Sequence, residues 1–218
     1  MYRLTQLTEE LVFPSLECAT NEGLLAYGGD LSAERLLLAY RIGIFPWYDD
    51  NSPILWWSPD PRMVLFPKKL KVSKSMRKIM SSNTFQLTKN VCFEKVIEQC
   101  AKVKRDGQQG TWITDAMKSA YMKLNALGHA ISYEVWSDDE LVGGLYGIDL
   151  GHVFCGESMF SLKSNASKFA FISLIKELEA KNYQLIDCQV YTKHLESLGA
   201  EEITREYFID IIIGNTIK

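Results

Sequence analysis

Hydrophobic and polar positions repeat with two different periods along this chain, which predicts both helices and strands. Apolar residues recur at helical spacing between Ser32 and Gly43 and again over 114–127, and a longer, largely apolar stretch over 164–181 also predicts a helix. Alternating stretches predict strands over 130–136, 141–148, 152–160 and 184–190, followed by a short helix over 192–199 and a final strand over 204–213. Three antiparallel strands followed by a helix, a strand, a helix and a strand predict an α+β sheet with helices packed against it.

The first 62 residues differ in amino-acid composition from the rest of the chain. Five of the six prolines lie between Pro14 and Pro61, and an aromatic, proline-rich stretch covers 43–62. We therefore predict a small N-terminal domain over 1–62 and a larger α+β domain over 63–218. A chain of 218 residues is long enough to bury a substantial core in this arrangement.

Composition excludes several classes of protein. Hydrophobic residues make up 47% and charged residues 23%, as in a folded globular protein. No apolar run approaches the ~20 residues of a membrane-spanning helix, and the first residues lack the apolar core of a secretion signal. The five cysteines contain no CxxC pair, and the three histidines do not have metal-ligand spacing. These features predict a reduced, cytoplasmic protein without metal and without membrane attachment.

The charge of −3 is not evenly distributed, because residues 68–78 carry six bases and no acid. At helical spacing the apolar residues of this stretch fall on one face and four bases fall on the other: Lys71, Lys74, Arg77 and Lys78. Clustered bases favour binding of a phosphate backbone over a merely solvated surface. A second cluster consists of Lys102, Lys104 and Arg105.

Aromatic side chains in the N-terminal part have two interpretations. Trp56 and Trp57 lie between prolines and favour packing in the core. Trp47 precedes Asp49 and Asp50 and is a better candidate for a partly exposed surface on which a base stacks.

Three polar residues lie within otherwise apolar strands. Alternation places Asp187 and Gln189 on one face of their predicted strand, and Glu157 lies near the end of another. Such groups are costly when buried without partners, so they either cap loops or line a cleft. The glycine pairs Gly28-Gly29 and Gly143-Gly144 match no nucleotide-binding motif, and no other stretch does. This disfavours ATP-driven chemistry.

Several specific segments resemble the leucyl/phenylalanyl-tRNA–protein transferases. The resemblance runs from about residue 10 to residue 205 and rests on FPSLECATNEGLLAYGGDLS, GIFPWY, ILWWSPDPR, GTWIT, LVGGLYGI, GESMFS, NASK and IDCQ. It implies transfer of Leu or Phe, and of Met more weakly, from aminoacyl-tRNA to the N-terminal amine of proteins that begin with Arg or Lys. Products of this reaction are marked for N-end rule degradation.

The resemblance also implies a fold. Members of the family combine a small N-terminal domain with a C-terminal domain that resembles the GCN5-related N-acetyltransferases. The acetyltransferase phosphate loop is missing here, and Asn165-Ala166-Ser167-Lys168 stands in its place, which argues against coenzyme A. We therefore expect no cofactor.

Site residues follow by matching motifs. Asp187 and Gln189 are implied as the catalytic pair, and Trp47 and Trp112 as the aromatic residues that hold the terminal adenosine of the tRNA. The remaining residues implied at the aminoacyl site are Phe154, Glu157, Met159, Leu145 and Tyr40. The tRNA acceptor stem is expected on Lys71, Lys74, Arg77 and Lys78.

Two other functions stay open at this point. One is an acetyl-coenzyme A N-acyltransferase, and the other is an RNA-binding module without catalysis. The acceptor pocket is also open, since Glu157, Asp49 and Asp50 are all candidates to meet a basic N-terminus, and acidic N-termini are not excluded. We expect a monomer.

Overall fold

The computed structural model describes residues 4–103 and 111–214, and the strands of these residues form two sheets. The strands are β1 (Thr5–Leu7), β2 (Leu24–Gly28), β3 (Phe45–Pro46), β4 (Leu55–Trp57), β5 (Arg62–Leu65), β6 (Gln86–Lys89), β7 (Ala130–Ser137), β8 (Glu140–Asp149), β9 (Val153–Ser161), β10 (Leu185–Gln189) and β11 (Glu201–Ile203). The helices are α1 (Ala33–Arg41), α2 (Lys74–Met80), α3 (Phe93–Lys102), α4 (Asp115–Ala126), α5 (Ala166–Ala180), α6 (Lys193–Ser197) and α7 (Arg205–Ile213). The predicted α+β class is confirmed.

The first sheet is small and has the strand order β1-β2-β4-β3. Helix α1 contacts β3 of this sheet and begins where the Ser32 hydroxyl accepts a hydrogen bond from the backbone N–H of Arg35. The chain leaves α1 through Gly43, whose φ of 78° suits glycine and whose missing side chain leaves room for Phe208 and Ile209. This turn directs β3 toward the second sheet.

The second sheet has the strand order β11-β5-β10-β9-β8-β7-β6. Its neighbouring strands are antiparallel except β9 and β10, which run parallel and are joined by α5. Helix α5 packs on β7, β8 and β9, and its contact with β8 is close because Gly143 has no side chain to meet Ala166. The largely apolar sequence of α5 reflects this burial.

Most predicted elements are confirmed, but the last one is wrong. The stretch 204–213 contains helix α7 rather than a strand, because the Thr204 hydroxyl accepts from the Tyr207 N–H and Phe208 and Ile212 bury one helical face. The helical spacing noted over 68–78 applies only in part, since α2 begins at Lys74 and Lys71 therefore precedes it.

The described residues form two apolar clusters, and one of them is shared by the two sheets. Buried residues of the first sheet, such as Trp56, and of the second, such as Tyr146, belong to the same cluster. The second sheet begins with β5 at Arg62, and a domain boundary at residue 62 stays a prediction. None of the helices within 4–103 and 111–214 is long and apolar enough to cross a membrane.

Candidate active site

A cleft opens where two parallel strands separate. Strands β9 and β10 pair as far as Cys155 and Asp187, after which β9 continues and β10 ends at Gln189. Residues just beyond the last pair on both strands line a cavity of about 450 Å³. Cavities at such a divergence are common ligand sites, because exposed backbone and side chains from both strands face the same space.

The walls of the cleft differ in chemistry. One wall is aromatic and comes from Trp47, just after β3, and from Trp112, just before α4. The other wall is apolar and comes from the second sheet and α5: Leu145, Phe154, Met159, Phe171, Leu174 and Ile186. The cleft can therefore hold an apolar side chain beside a flat ring system.

A carboxylate with three hydrogen-bond donors lies at the polar end of the cleft. Glu157 Oε1 accepts from the Tyr40 hydroxyl at 2.8 Å and from Gln189 Nε2 at 2.9 Å, and Oε2 accepts from the Tyr121 hydroxyl at 2.9 Å. The two tyrosine hydroxyls also contact each other. These bonds fix the position of the Glu157 side chain.

Burial changes the acid–base properties of this carboxylate. Desolvation raises the pKa of Glu157 from 4.5 to about 7, although the hydrogen bonds from Tyr40, Tyr121 and Gln189 favour the charged form. Burial also raises the pKa of both tyrosines well above 10, so these side chains remain hydroxyl donors. Glu157 can thus change its charge near neutral pH while its neighbours do not.

The Gln189 side chain is oriented by this carboxylate. When Glu157 is ionised its oxygens only accept hydrogen bonds, so the amide nitrogen faces Glu157 and the amide carbonyl is the end left for another donor. Among residues 4–103 and 111–214, the Gln189 side chain has its hydrogen bond through Nε2, and none is found at the carbonyl oxygen. Gln189 therefore offers an acceptor to a molecule in the cleft.

The backbone at Gln189 leaves the regular strand. Its φ of 64° lies in the left-handed region, and the pairing of β10 with β5 shifts register between Asp187 and Gln189. The Gln189 N–H donates to Asp187 Oδ1 at 2.9 Å, which holds this conformation. The predicted alternation of Asp187 and Gln189 on one strand face therefore ends at Gln189.

Asp187 itself is buried in an ion pair. Its two carboxylate oxygens accept from Arg62 Nε at 2.8 Å and Arg62 Nη2 at 2.7 Å, and both side chains are 1% exposed. A bidentate pair of this kind satisfies both charges without water. Asp187 thus has partners in the core, although it also borders the cleft.

The structure brings together eight of the site residues that the sequence predicts. They line the cleft and are Trp47, Trp112, Leu145, Phe154, Glu157, Met159, Asp187 and Gln189. Tyr40 lies behind Glu157 and bonds to it. The roles of these residues remain predictions.

Several members of the site are not predicted from the sequence. They are the wall residues Phe171, Leu174 and Ile186, and the buried residues Tyr121 and Arg62, which bond to Glu157 and Asp187. A polar hydroxyl on an apolar helical stripe is a signal for Tyr121, since a buried hydroxyl needs a partner. The sequence offers no comparable signal for Arg62.

The basic segment, residues 68–78, lies outside the cleft lining. Lys71, Lys74, Arg77 and Lys78 are all exposed, while Met76 is buried, so the predicted separation of faces is present. Lys69 pairs with Glu201. In the described part of the chain no carboxylate lies within ion-pair distance of the other bases of the segment. Lys102 is exposed at the end of α3, whereas Lys104 and Arg105 fall outside the described residues.

An apolar cleft that ends at a buried carboxylate and an oriented amide is a candidate active site in a protein of the α+β class. Residues 64–212 match the family described as leucyl/phenylalanyl-tRNA protein transferase, and residues 29–60 match the N-terminal domain of the same family. The chain belongs to this family and is an aminoacyltransferase.

Individual relatives cover almost the whole chain. A leucyl/phenylalanyl-tRNA–protein transferase of Flavobacterium johnsoniae is 59% identical over 206 residues, which are 94% of this chain and 97% of the relative. The protein of the same name from Flavobacterium psychrophilum is 57% identical over 206 residues, covering 94% and 98%.

Solved structures are more distant. A GCN5-related N-acetyltransferase-like protein of Streptococcus suis aligns with a TM-score of 0.39 and 12% identity. The alignment covers 75% of this chain and 60% of that structure, so the chain spans less than two thirds of its length. At this TM-score the likeness carries no argument about the function of the chain.

Proposed function

We propose that this chain transfers Leu or Phe, and Met more weakly, from aminoacyl-tRNA to the N-terminal amine of proteins that begin with Arg or Lys, marking them for N-end rule degradation. Family membership supports the reaction class. The observation that supports the site is the Gln189 carbonyl, since Gln189 lines the cleft and its amide is oriented by Glu157.

The apolar wall fits the side chain of the transferred amino acid. Leu, Phe and Met are unbranched at Cβ, and we propose that Leu145, Phe154 and Met159 select them by shape. One methylene changes binding by only ~1–3 kcal/mol, so discrimination is graded rather than absolute. Equal transfer rates from Ile-tRNA and Leu-tRNA would contradict this assignment.

The aromatic wall fits the terminal adenosine. Trp47 is half-buried, its ring centroid lies 5.8 Å from that of Trp57, and its backbone carbonyl accepts from Trp57 Nε1. Trp47 is therefore supported from behind while it borders the cleft. A base stacked on such a ring gains ~1–3 kcal/mol.

The proposed reaction requires the protein to align the two substrates more than to activate them, because the ester of aminoacyl-tRNA is already activated. The acceptor amine attacks the ester carbonyl, an N–C bond forms, the ester C–O bond breaks, and the amine proton passes to the departing ribose oxygen. We propose that the Gln189 carbonyl accepts a hydrogen bond from the attacking amine and aligns it. A neutral amide binds a proton too weakly to act as the base, so its contribution is orientation.

The two residues implied as the catalytic pair do not bond to each other through their side chains. The Gln189 amide nitrogen bonds to Glu157, and Asp187 accepts a hydrogen bond from the Gln189 backbone N–H. We propose that Glu157 orients the amide and that Asp187 fixes the backbone that carries it.

The acceptor side needs a carboxylate for a basic N-terminus. Glu157 already accepts three hydrogen bonds, whereas Asp49 and Asp50 are exposed just after Trp47. We propose that Asp49 and Asp50 attract an N-terminal Arg or Lys at the rim of the cleft.

The basic segment completes the donor site. Its exposed bases can neutralise the phosphates of the acceptor stem while the aminoacyl end occupies the cleft. We further propose a cytoplasmic monomer without a cofactor, since aminoacyl-tRNA already carries an activated ester and the described elements build the cleft within one chain.

An incorporation assay tests the proposal. Phe-tRNA or Leu-tRNA is mixed with peptides that begin with Arg, Lys, Asp, Glu or Ala, and product is measured for each. Transfer to the Arg and Lys peptides alone is expected. Transfer to the Asp or Glu peptides would reverse the acceptor assignment, and tRNA binding without any product would indicate an RNA-binding module.

A further inference from the structure

Arg62 is a buried residue that contacts three separate elements, and the proposed reaction assigns it no role. All three of its guanidinium nitrogens have partners: Nε and Nη2 bond to Asp187, and Nη1 donates to the Gly43 carbonyl at 3.1 Å. The rings of Phe45 and Phe208 lie 4.7 and 4.5 Å from the guanidinium carbon. One buried side chain thus links the turn after α1, strand β10 and helix α7.

We propose that Arg62 is a positioning residue for the transfer reaction and acts on Gln189 through Asp187. This inference rests on the proposed function. Asp187 Oδ1 accepts both from Arg62 Nε and from the Gln189 N–H, so the arginine places the acceptor that holds the Gln189 backbone. A left-handed conformation at a residue other than glycine persists only where its surroundings hold it.

The geometry of the contact requires arginine. The planar guanidinium offers parallel N–H groups to both carboxylate oxygens, whereas an ammonium group can offer only a point charge. In Arg62→Lys the charge remains but Asp187 can rotate, and the Gln189 carbonyl moves with it. A misplacement of about 1 Å costs about 100-fold in rate. We expect kcat to fall by that factor while KM for aminoacyl-tRNA changes less than about threefold, because the Trp47 wall and the basic segment are unchanged.

Arg35 provides a matched control. It is also fully buried and bonds through Nε and Nη2 to an aspartate, Asp30, but neither residue lines the cleft. Arg35→Lys should lower the unfolding temperature and leave kcat at the wild-type value. An equal loss of kcat in both variants would overturn the inference, since any buried arginine would then have the same effect.

A double-mutant cycle separates positioning from general destabilisation. If Arg62 acts through Gln189, the substitution Arg62→Lys should change kcat less than about threefold in a Gln189→Ala background. If Arg62 serves only the fold, the two losses should multiply. Multiplied losses, or a wild-type kcat in Arg62→Lys alone, would overturn the inference while the proposed function stands. Absence of product with the wild type would overturn both.

A second pair of substitutions covers the case in which Arg62→Lys does not fold. Buried ion pairs can often be replaced by apolar residues of similar volume without loss of stability. The double variant Arg62→Met with Asp187→Leu is therefore expected to fold, as thermal unfolding would show, but to have the kcat of Gln189→Ala because the Gln189 N–H has lost its acceptor. A folded double variant with wild-type kcat would overturn the inference.

Discussion

The polar cluster and the basic segment serve the two parts of the proposed reaction, amino-acid transfer and tRNA binding, and they differ in burial. The polar cluster consists of Tyr40, Tyr121, Glu157, Asp187 and Gln189. Members of the cluster are buried or half-buried and bond to one another or to Arg62. The bases of the segment are exposed, and Lys69 pairs with Glu201.

This difference predicts different responses to change. A buried network depends on geometry, is screened little by salt and loses much when one partner is removed. An exposed basic surface depends on summed charge, is sensitive to salt and loses little with each residue. Binding of the tRNA body should therefore tolerate substitutions that the reaction centre does not.

The largest expected effect is the loss of one partner of the buried ion pair. Asp187→Ala leaves Arg62 charged and 1% exposed, which should cost about 3–5 kcal/mol of unfolding free energy. Asp30→Ala is the control: Asp30 is 49% exposed, so water can replace it beside Arg35, and the loss should be about 1–2 kcal/mol. Urea unfolding measures both, and equal losses would contradict the comparison.

A smaller, pH-dependent effect is expected at Glu157. Its pKa is raised from 4.5 to about 7, so the folded protein binds this proton more tightly than the unfolded chain does. Its contribution to stability is thus complete below pH 4.5 and is lost as the pH rises through 7, a change of about 3 kcal/mol.

Urea unfolding of the wild type and of Glu157→Gln at pH 5 and pH 8 measures this contribution. The stability of the wild type relative to the variant should be higher at pH 5 than at pH 8 by about 2.5 kcal/mol. A difference that does not change with pH would show that Glu157 is not protonated in this range.

Next in size is the aromatic wall. Trp47→Ala should weaken binding of aminoacyl-tRNA by ~1–3 kcal/mol, because one stacking surface is lost. Trp136→Ala is the matched control, since Trp136 bonds to Thr88 at the far edge of the second sheet and does not line the cleft. Filter binding measures both affinities, and an equal loss in the two variants would exclude Trp47 from the adenosine site.

The smallest effects per residue are expected in the basic segment. Lys74→Ala and Lys78→Ala should each reduce the slope of log Kd against log salt by about 1. Lys69→Ala should reduce it less, because Glu201 already compensates that charge. Titrations at several salt concentrations measure the slopes, and an unchanged slope in all three variants would exclude the segment from tRNA contact.

The sequence predicts the elements in which local pattern and burial agree. Strands β7 to β10 are apolar segments whose residues are mostly buried, and α5 is apolar because it packs on the sheet that contains them. The strand prediction for 204–213 is wrong because its β-branched residues favour a strand, whereas the cap at Thr204 and the burial of Phe208 and Ile212 make the stretch helical.

The residues of the cleft could be predicted through family motifs, but their contacts could not. The bond between Gln189 and Glu157 depends on a left-handed residue that breaks strand alternation. The bond between Arg62 and Asp187 joins residues 125 positions apart in the chain. Neither local periodicity nor composition contains such information, because both contacts are set by how strands β5, β9 and β10 lie in the sheet.

The central claim is that the Gln189 carbonyl aligns the attacking amine. Single-turnover transfer from Phe-tRNA to an Arg peptide, at saturating concentrations of both, tests it in the wild type, Gln189→Ala and Gln184→Ala. Gln184 is the control because it is exposed just before β10 and does not line the cleft. The account predicts a rate about 100-fold lower for Gln189→Ala and unchanged for Gln184→Ala. A wild-type rate for Gln189→Ala would contradict it.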